Sequence, residues 1–350
     1  MTRRRFLLSG LGAAGALVIG WGVLPPRSRV GSVDTLPQGD GGVNLNGWIK
    51  IAPDGSVLLA MNRSEMGQGV HTALAMLAAE ELDVPLASVR LLDAGADKLY
   101  GNVAMFVDSL PFHPSEVEAD TRTVRTVQWV VAKLARELGI SVTGGSSSVA
   151  DAWDVVRLAA ATARAQLVGA ASLQWRLPAN EITIQAGVVS HASGPKAHFG
   201  ELAKMASSTR ASNVSLKDPK NWQLIGRAAP RIDLAGKVDG SARFGIDVRL
   251  PGQLFAVVRH CPMLGGSPGR VDVDAALKLP GVERVVRLGP YGGSTAALAV
   301  VGRSSWHAME AARALQVDWQ PAPGAAADSA AILADLARQA ARAAAGQAGF

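Results

Sequence analysis

Two short loops carry the residue types best suited to chemistry. The first, Glu65-Met66-Gly67-Gln68-Gly69-Val70-His71-Thr72, joins a strand-like run to a helix-like one. At such a junction, unpaired backbone N–H groups and the positive end of the helix dipole favour an anion such as phosphate. Gly67 and Gly69 would let a ligand approach the backbone closely. The second, Thr143-Gly144-Gly145-Ser146-Ser147-Ser148, repeats the device with glycines, three hydroxyls and a helix start. Together they predict a pyrophosphate or dinucleotide held from two sides. The competing reading is two ordinary loops, with Ser148 a plain helix N-cap. The candidate cofactor-binding residues are Gly67, Gln68, Gly69, Gly145, Ser146, Ser147 and Ser148, and no side chain is assigned as catalytic or metal-ligating. Gln68 could offer its amide to a ligand or simply pack at the helix entry. His71 is a weaker candidate, because a histidine in a first helical turn is usually solvated or capping.

Hydrophobic period and turn chemistry indicate the elements that hold these loops. Trp48-Ile49-Lys50-Ile51 and Ser56 to Met61, joined by Ala52-Pro53-Asp54-Gly55, predict a hairpin. Val70, Leu74 and Leu77 then predict a helix to about Leu82, followed by a strand at Val89-Arg90-Leu91-Leu92, so the unit reads β-β-α-β. A second helix is expected from Ser115, with Glu118 in the capping-box position and Val127, Val131, Leu134 and Leu138 on its apolar face, ending at Gly139. A third is expected after Ser148, with Asp151 in the capping-box position and a small-residue stripe of Ala152, Val156, Ala159, Ala163 and Leu167. Beyond a polar, proline-containing connection, short strands are expected at 244–248, 254–258, 282–286 and 296–301, with a helix near 306–315 and a strand at 316–319. The fold class is therefore α+β. An Ala-rich tail carries a helix signal from Ser329.

Composition narrows the class. Met1-Thr2-Arg3-Arg4-Arg5-Phe6 followed by an apolar run to Leu24 fits a twin-arginine export signal or a single membrane anchor, and both remain open. Either would place the chain in the periplasm or on its membrane face. Arg3, Arg4, Arg5, Arg27 and Arg29 account for five of the formal net charges of +6, so the basic balance does not point to nucleic acid. Cys261 is the single cysteine, which excludes an internal disulfide and an iron–sulfur cluster held by this chain alone. It is expected to be a buried structural thiol, and the tryptophans to serve core and interface packing. Glu65, Glu80 and Glu81 read as acids flanking a helix.

A nucleotide-binding dehydrogenase also fits part of the pattern, with Gly67 and Gly69 before a helix and Asp93 at a strand end. It is disfavoured because Thr72 occupies the third glycine position and the strand before the loop arrives by a hairpin.

The first loop with Ala78-Ala79-Glu80-Glu81-Leu82, and the second with Ala152-Trp153 and Arg157, resemble the large subunit of molybdenum hydroxylases of the xanthine dehydrogenase family. The likeness is strongest to the branch that holds the isoquinoline 1-oxidoreductase beta subunit. Pro230-Arg231-Ile232-Asp233, Lys237 to Val248 and Pro251-Gly252-Gln253-Leu254 resemble that family's hammerhead domain. The resemblance implies a portion of a molybdopterin-binding α/β domain followed by an α/β hammerhead domain. The expected boundaries are 1–29 leader or anchor, 30–47 linker, 48–212 molybdopterin-binding domain, 213–229 connection, 230–320 hammerhead and 321–350 the start of a further domain.

It also implies molybdenum carried by molybdopterin cytosine dinucleotide, held along the seven candidate residues, and hydroxylation of aldehydes or N-heterocycles. The partners it implies are a small subunit with two 2Fe–2S clusters, a second polypeptide supplying a C-terminal half, and a membrane or cytochrome electron acceptor. The family's glutamate general base belongs to that later half, so this chain alone is expected to be inactive. A non-catalytic remnant is the alternative. Without that half, the helices at 116–138 and 149–173 are expected to leave apolar surface exposed.

Overall fold

A computed structural model describes residues 28–322 and 328–346. The protein is α+β, in two compact units that part between Ala242 and Arg243. Residues 1–27 of the expected leader lie outside the described residues. Among the described residues, no helix is long and apolar enough to cross a membrane.

In the first unit, β1 (Val43–Asn44), β2 (Ile49–Ile51), β3 (Val57–Met61) and β4 (Val89–Asp93) form one sheet in that order. The expected linker is part of it. β1 pairs with β2, and Leu36 and Leu45 on either side of the Gly-rich stretch are buried in the core of this unit. Asp54 closes the β2–β3 turn by accepting the backbone N–H and the hydroxyl of Ser56. β3 and β4 run parallel, from Val57 opposite Val89 to Met61 opposite Asp93, joined by helix α1 (Val70–Leu82). The first loop therefore does open a crossover unit, although β3 also arrives by a hairpin, and it lies at the C-terminal end of a parallel strand. In open α/β sheets this is where ligands bind.

Helix α1 packs on α5 (Ser148–Trp175) through Val70, Leu74 and Ala78 on one side and Ala152, Val156, Ala159, Ala163 and Leu167 on the other, all buried. Burying a Val or Leu side chain contributes about 1.5–3 kcal/mol, and the alanines let the helices come close. Behind them lies a meander that the sequence pattern does not reveal, β5 (Ile182–Gln185), β6 (Val188–His191) and β7 (Lys196–His198), and after it α6 (Phe199–Ser208).

Between α1 and α5 come α2 (Val103–Asp108), α3 (Pro114–Glu118) and α4 (Arg122–Leu138). The helix expected from Ser115 is two helices. The capping box belongs to His113 and Glu116 on α3, and Thr121 caps α4 separately. The α4 face also differs from expectation. Val124 and Ala135 are buried where α4 meets α2, while Trp129, Leu134 and Leu138 are exposed, as are Val149, Leu158 and Leu173 on α5. Gly139 ends α4 in the left-handed conformation, with a φ of 60°.

Two carboxylate clusters tie these elements together. Asp151 does not cap α5. Its carboxylate accepts Arg29 at 3.0 and 2.8 Å, Arg63 at 2.6 Å and the amides of Val103 and Ala104 at 2.8 and 3.2 Å. Arg29, grouped by sequence with the leader, is thus built into this unit.

On α1, buried Glu80 accepts the amides of Gln223, Leu224 and Ile225 and the Lys217 ammonium, while buried Glu81 accepts Arg157 and the Lys217 amide. These are clamps rather than flanking acids, and they fasten the 217–225 connection to the first unit. Burial pushes the Glu80 carboxyl up, but its amide and ammonium partners outweigh burial and hold it below its ordinary value. Beyond them, α7 (Leu234–Val238) also belongs to the first unit.

The second unit contains the antiparallel sheet β10 (Val282–Leu288), β11 (Ala297–Gly302) and β8 (Phe255–His260), and the pair β9 (Ser267–Asp272) and β12 (Gln316–Gln320). Short α8 (Asp274–Leu277) and α9 (Ser305–Ala314) cover Leu298 and Val300 with Ala276, Ala311 and Leu315. Residues 245–247 form a 3₁₀ turn rather than a strand, because the Asp247 carboxylate takes the Phe244 amide. Cys261 is buried. Not every tryptophan packs inside: Trp48 is fully buried, whereas Trp306 is exposed. Helix α10 (Ser329–Ala344) begins where the sequence signal placed it, with Asp328 as its N-cap.

Two outcomes follow from the clusters. Asp151→Asn leaves the buried Arg63 and the half-buried Arg29 guanidinium groups without their counter-charge and is expected to cost about 3–5 kcal/mol in urea unfolding. Glu80→Ala is expected to release 217–225, seen as rapid tryptic cutting at Lys217 or Lys220 while the rest of the unit resists. Since the folded Glu80 carboxyl is lowered, its contribution is complete above the ordinary carboxylate range and lost as pH falls through the lowered value. Protease resistance of this segment at neutral pH should disappear in acid before the whole chain unfolds.

Candidate functional site

The two loops meet at one cleft of about 390 Å³, lined by Met66, Gln68, Gly69, Thr143, Gly145, Ser146 and Ser148 among others. A direct bond joins them, from the Ser64 N–H to Thr143 Oγ1 at 2.9 Å. A second tie runs underneath, where Arg63, next to Ser64, reaches Asp151 one turn into α5. Of the seven predicted residues, Gln68, Gly69, Gly145, Ser146 and Ser148 line the cleft, while Gly67 and Ser147 do not.

The first loop already has its anion. Glu65 Oε1 accepts the amides of Gly67 and Gly69, both at 2.9 Å, and Oε2 accepts the His71 amide at 3.1 Å. The N–H groups expected to cradle a phosphate are thus used by a carboxylate four residues before the helix cap, an internal version of helix N-terminal capping. Burial pushes the Glu65 carboxyl up, but the Gly69, His71 and Gly67 amides and the Arg231 guanidinium outweigh it and leave it below its ordinary value.

Gln68 is also spent within the loop. Its Oε1 accepts the Met66 amide at 2.6 Å and its Nε2 donates to the Ser64 carbonyl at 2.9 Å. The His71 ring is bonded through Nε2 to the Arg63 carbonyl at 2.9 Å. A pyrophosphate at the start of α1, the arrangement a nicotinamide-type fold needs, would find the Gly67, Gly69 and His71 amides already bonded to Glu65.

The second loop is different. The Ser147 amide donates to the Gly144 carbonyl across Gly145 and Ser146, whose φ values of 60° and 55° make a tight left-handed turn. Ser146 holds this conformation without being glycine, at a cost of about 1 kcal/mol. Ser147 is buried and binds inward, donating to the Gly144 carbonyl and accepting from Asn102 Nδ2 at 2.7 Å. As N-cap of α5 it makes no side-chain bond to the helix. The first-turn amides of a helix have no intrahelical acceptor, so an uncapped start leaves donors for a ligand. The Ser146 and Ser148 hydroxyls stand beside them.

Gly69 and Gly144, which line the cleft, have nothing within 4 Å of where a Cβ would sit, which leaves its walls open to a flat or bulky group. The donor set of hydroxyls and amides, with a glycine wall opposite, fits a phosphate-bearing cofactor better at α5 than at α1. Among the described residues, no group of three or more His, Cys, Asp or Glu side chains could hold a metal.

Sequence reasoning missed the supports. Asn102, buried, caps α2 and pins the second loop by donating to the Val142 carbonyl and to Ser147 Oγ. Arg231 reaches the first loop from far along the chain, donating to the Gly67 carbonyl at 2.7 Å. Glu65 was the legible one, as an acid just ahead of a helix start. The partners of Asn102 and Arg231 are too distant in sequence for any local signal.

Residues 12–104 match the family model of the molybdopterin cofactor-binding domain, a stretch that includes the first loop. Over 92% of its length the chain is 32% identical to the beta subunit of isoquinoline 1-oxidoreductase from Brevundimonas diminuta. It is 28% identical, over 92%, to a membrane-bound aldehyde dehydrogenase (pyrroloquinoline-quinone) of Gluconacetobacter polyoxogenes, and 27% identical, over 94%, to a nicotinate dehydrogenase subunit of Pseudomonas putida. The chain spans 41%, 37% and 24% of the length of these relatives. With a cofactor-domain match over the first loop and a likeness to part of the isoquinoline enzyme across most of its own length, the chain is similar to the large subunits of the molybdenum hydroxylases.

Proposed function

We propose that this chain is the cofactor-holding part of an oxidoreductase that hydroxylates aldehydes or N-heterocycles and hands electrons to an iron–sulfur subunit. One observation carries the reading: a single cleft bounded by a glycine wall and by the uncapped, hydroxyl-rich start of a long helix, in a chain with this likeness. The relatives' names support the substrate classes, one being an aldehyde dehydrogenase and two acting on isoquinoline or nicotinate.

In this reading the cofactor is molybdopterin cytosine dinucleotide. Ser146, Ser148 and the first-turn amides of α5 hold its phosphates, and Gln68, Gly69 and Gly145 form the surfaces along which it lies. When bound, the cofactor supplies the two-electron redox centre. Gly67 and Ser147 act from behind the cleft, shaping the loops. The second unit corresponds to the hammerhead domain. Partners are a subunit with two 2Fe–2S clusters and polypeptide equivalent to the relatives' further length, with a membrane or cytochrome acceptor beyond. The segment before Arg29 acts as a twin-arginine leader or anchor that sends the folded, loaded protein to the periplasmic side.

Two measurements test this. Chain co-expressed with its iron–sulfur partner should retain molybdenum and release cytidine monophosphate on acid hydrolysis in equal amounts. The double change Ser146→Ala and Ser148→Ala should lower both by roughly tenfold or more, from the loss of hydrogen bonds to a charged group. A complex purified without either component would sink the proposal. Replacing Arg3, Arg4 and Arg5 by lysine should leave the protein in the cytoplasm; unchanged fractionation would remove the leader assignment.

A further inference from the structure

Arg231 and Asp233 form a fork-to-fork pair, with Nε and Nη2 of Arg231 at 2.9 and 2.8 Å from the two carboxylate oxygens, and Lys237 closes on Asp233 from the next turn. A rigid, planar guanidinium held in this way is aimed rather than mobile. Its Nη2 lies 3.2 Å from Glu65 Oε1, and its Nη1 donates to the Gly67 carbonyl. The adjacent Ile232 amide donates to Thr72 Oγ1 at 3.1 Å, docking the backbone of this segment on the first turn of α1. The loop is therefore held from both sides, its amides by Glu65 and its Gly67 carbonyl by Arg231. Gly67 and Gly69 have φ values of 101° and 84° and no Cβ neighbours, so hydrogen bonds rather than side-chain packing fix the backbone there, those of Glu65 and Arg231 adding to the ones Gln68 makes within the loop.

We infer that segment 231–237 is a latch on the first loop, and that Arg231 and Glu65 are positioning residues that keep the Gln68–Gly69 wall shaped for the cofactor. The inference rests on the proposed cofactor cleft for its ligand, but the latch itself is a property of this chain's own contacts. While Glu65 holds the three amides, they cannot serve a ligand phosphate. The latched loop then presents a surface, and ligand charge is left to the second loop. The charged and titratable groups around Glu65 are Arg231, Asp233 and Lys237 on the latch side and His71 on α1, whose ring is bonded to the Arg63 carbonyl.

The test uses the full chain purified with its iron–sulfur partner, comparing wild type with Arg231→Met, Arg231→Lys and Glu65→Gln. The readouts are hydrogen exchange over residues 64–72 and the molybdenum and cytidine monophosphate retained per chain. Arg231→Met is expected to speed exchange of the Gly67, Gly69 and His71 amides by roughly tenfold, with an unchanged global unfolding midpoint and several-fold less retained cofactor. Arg231→Lys should recover part of the effect, because lysine restores charge without the fork.

In wild type, loop exchange corrected for its intrinsic pH dependence should rise only in acid, since the lowered Glu65 carboxyl stays ionised until then. In Arg231→Met the rise should begin at higher pH. If Arg231→Met is recovered only unfolded, Glu65→Gln reads the same contact from its other side. Unchanged loop exchange in both variants overturns the latch. Faster exchange with full cofactor retention overturns its positioning role. Wild type that holds no cofactor, with exchange still responding, overturns the cofactor cleft while establishing the latch.

Discussion

The pairing of Arg63 with Asp151 at 2.6 Å is the constraint on which the rest of the site depends. Arg63 ends the stretch leading out of β3, and Asp151 lies in the first turn of α5, so one buried ion pair fixes the distance between the two loops. Buried charges are expensive to leave unmatched, and this one is over-determined. Arg29 enters from the N-terminal side, and the amides that open α2 take up the remaining oxygen capacity of Asp151. The Tyr100 carbonyl accepts from both Asn62 and Arg63, which fixes the strand exit from the other side. The ring of Tyr100 packs edge-on to Trp48, and its hydroxyl bonds the Gly47 carbonyl; burial pushes that hydroxyl up to about 12, so it stays a donor. The cleft is wide or narrow according to this buried polar frame, not according to the loops themselves.

Around that frame the two loops divide their labour. The same residue types promised two equal phosphate cradles, yet one is occupied by the protein's own carboxylate. Helix dipoles and free amides attract the nearest anion, and for α1 the nearest anion is Glu65. The α5 start has no acid placed to do this, because its first-turn acid, Asp151, is claimed by two arginines. One side of the cleft is thereby made rigid and neutral and the other is left with open donors.

Much of this was legible in the sequence, and what was not has physical reasons. The hairpin, α1, the α5 stripe and the α10 start followed from period and capping signals, which act over a few residues. The meander at 182–198 was missed because its strands are short and half exposed, so their alternation resembles a polar loop. The α3–α4 break was missed because a capping-box pattern at 115–118 coincided with a real one shifted by two residues. The rejection of a crossover unit failed because β3 is shared by a hairpin on one side and a parallel partner on the other. The candidate residues came from loop composition, which finds the cleft but not its frame. Asn102, Arg231 and the Arg63–Asp151 pair join segments far apart in the chain, and only the fold brings them together.

The alanines between α1 and α5 act as a gauge. The two helices begin at the two walls of the cleft and converge through a contact in which alanines sit among Val70, Leu74, Val156 and Leu167, so the spacing at the cleft mouth is transmitted from residues well behind it. A methyl-sized difference at Ala159 or Ala163 would act like a shim under a hinge, spreading the walls without touching any group that faces the ligand. Cofactor fit in this protein is thus written partly into residues that no inspection of the cleft surface would reveal.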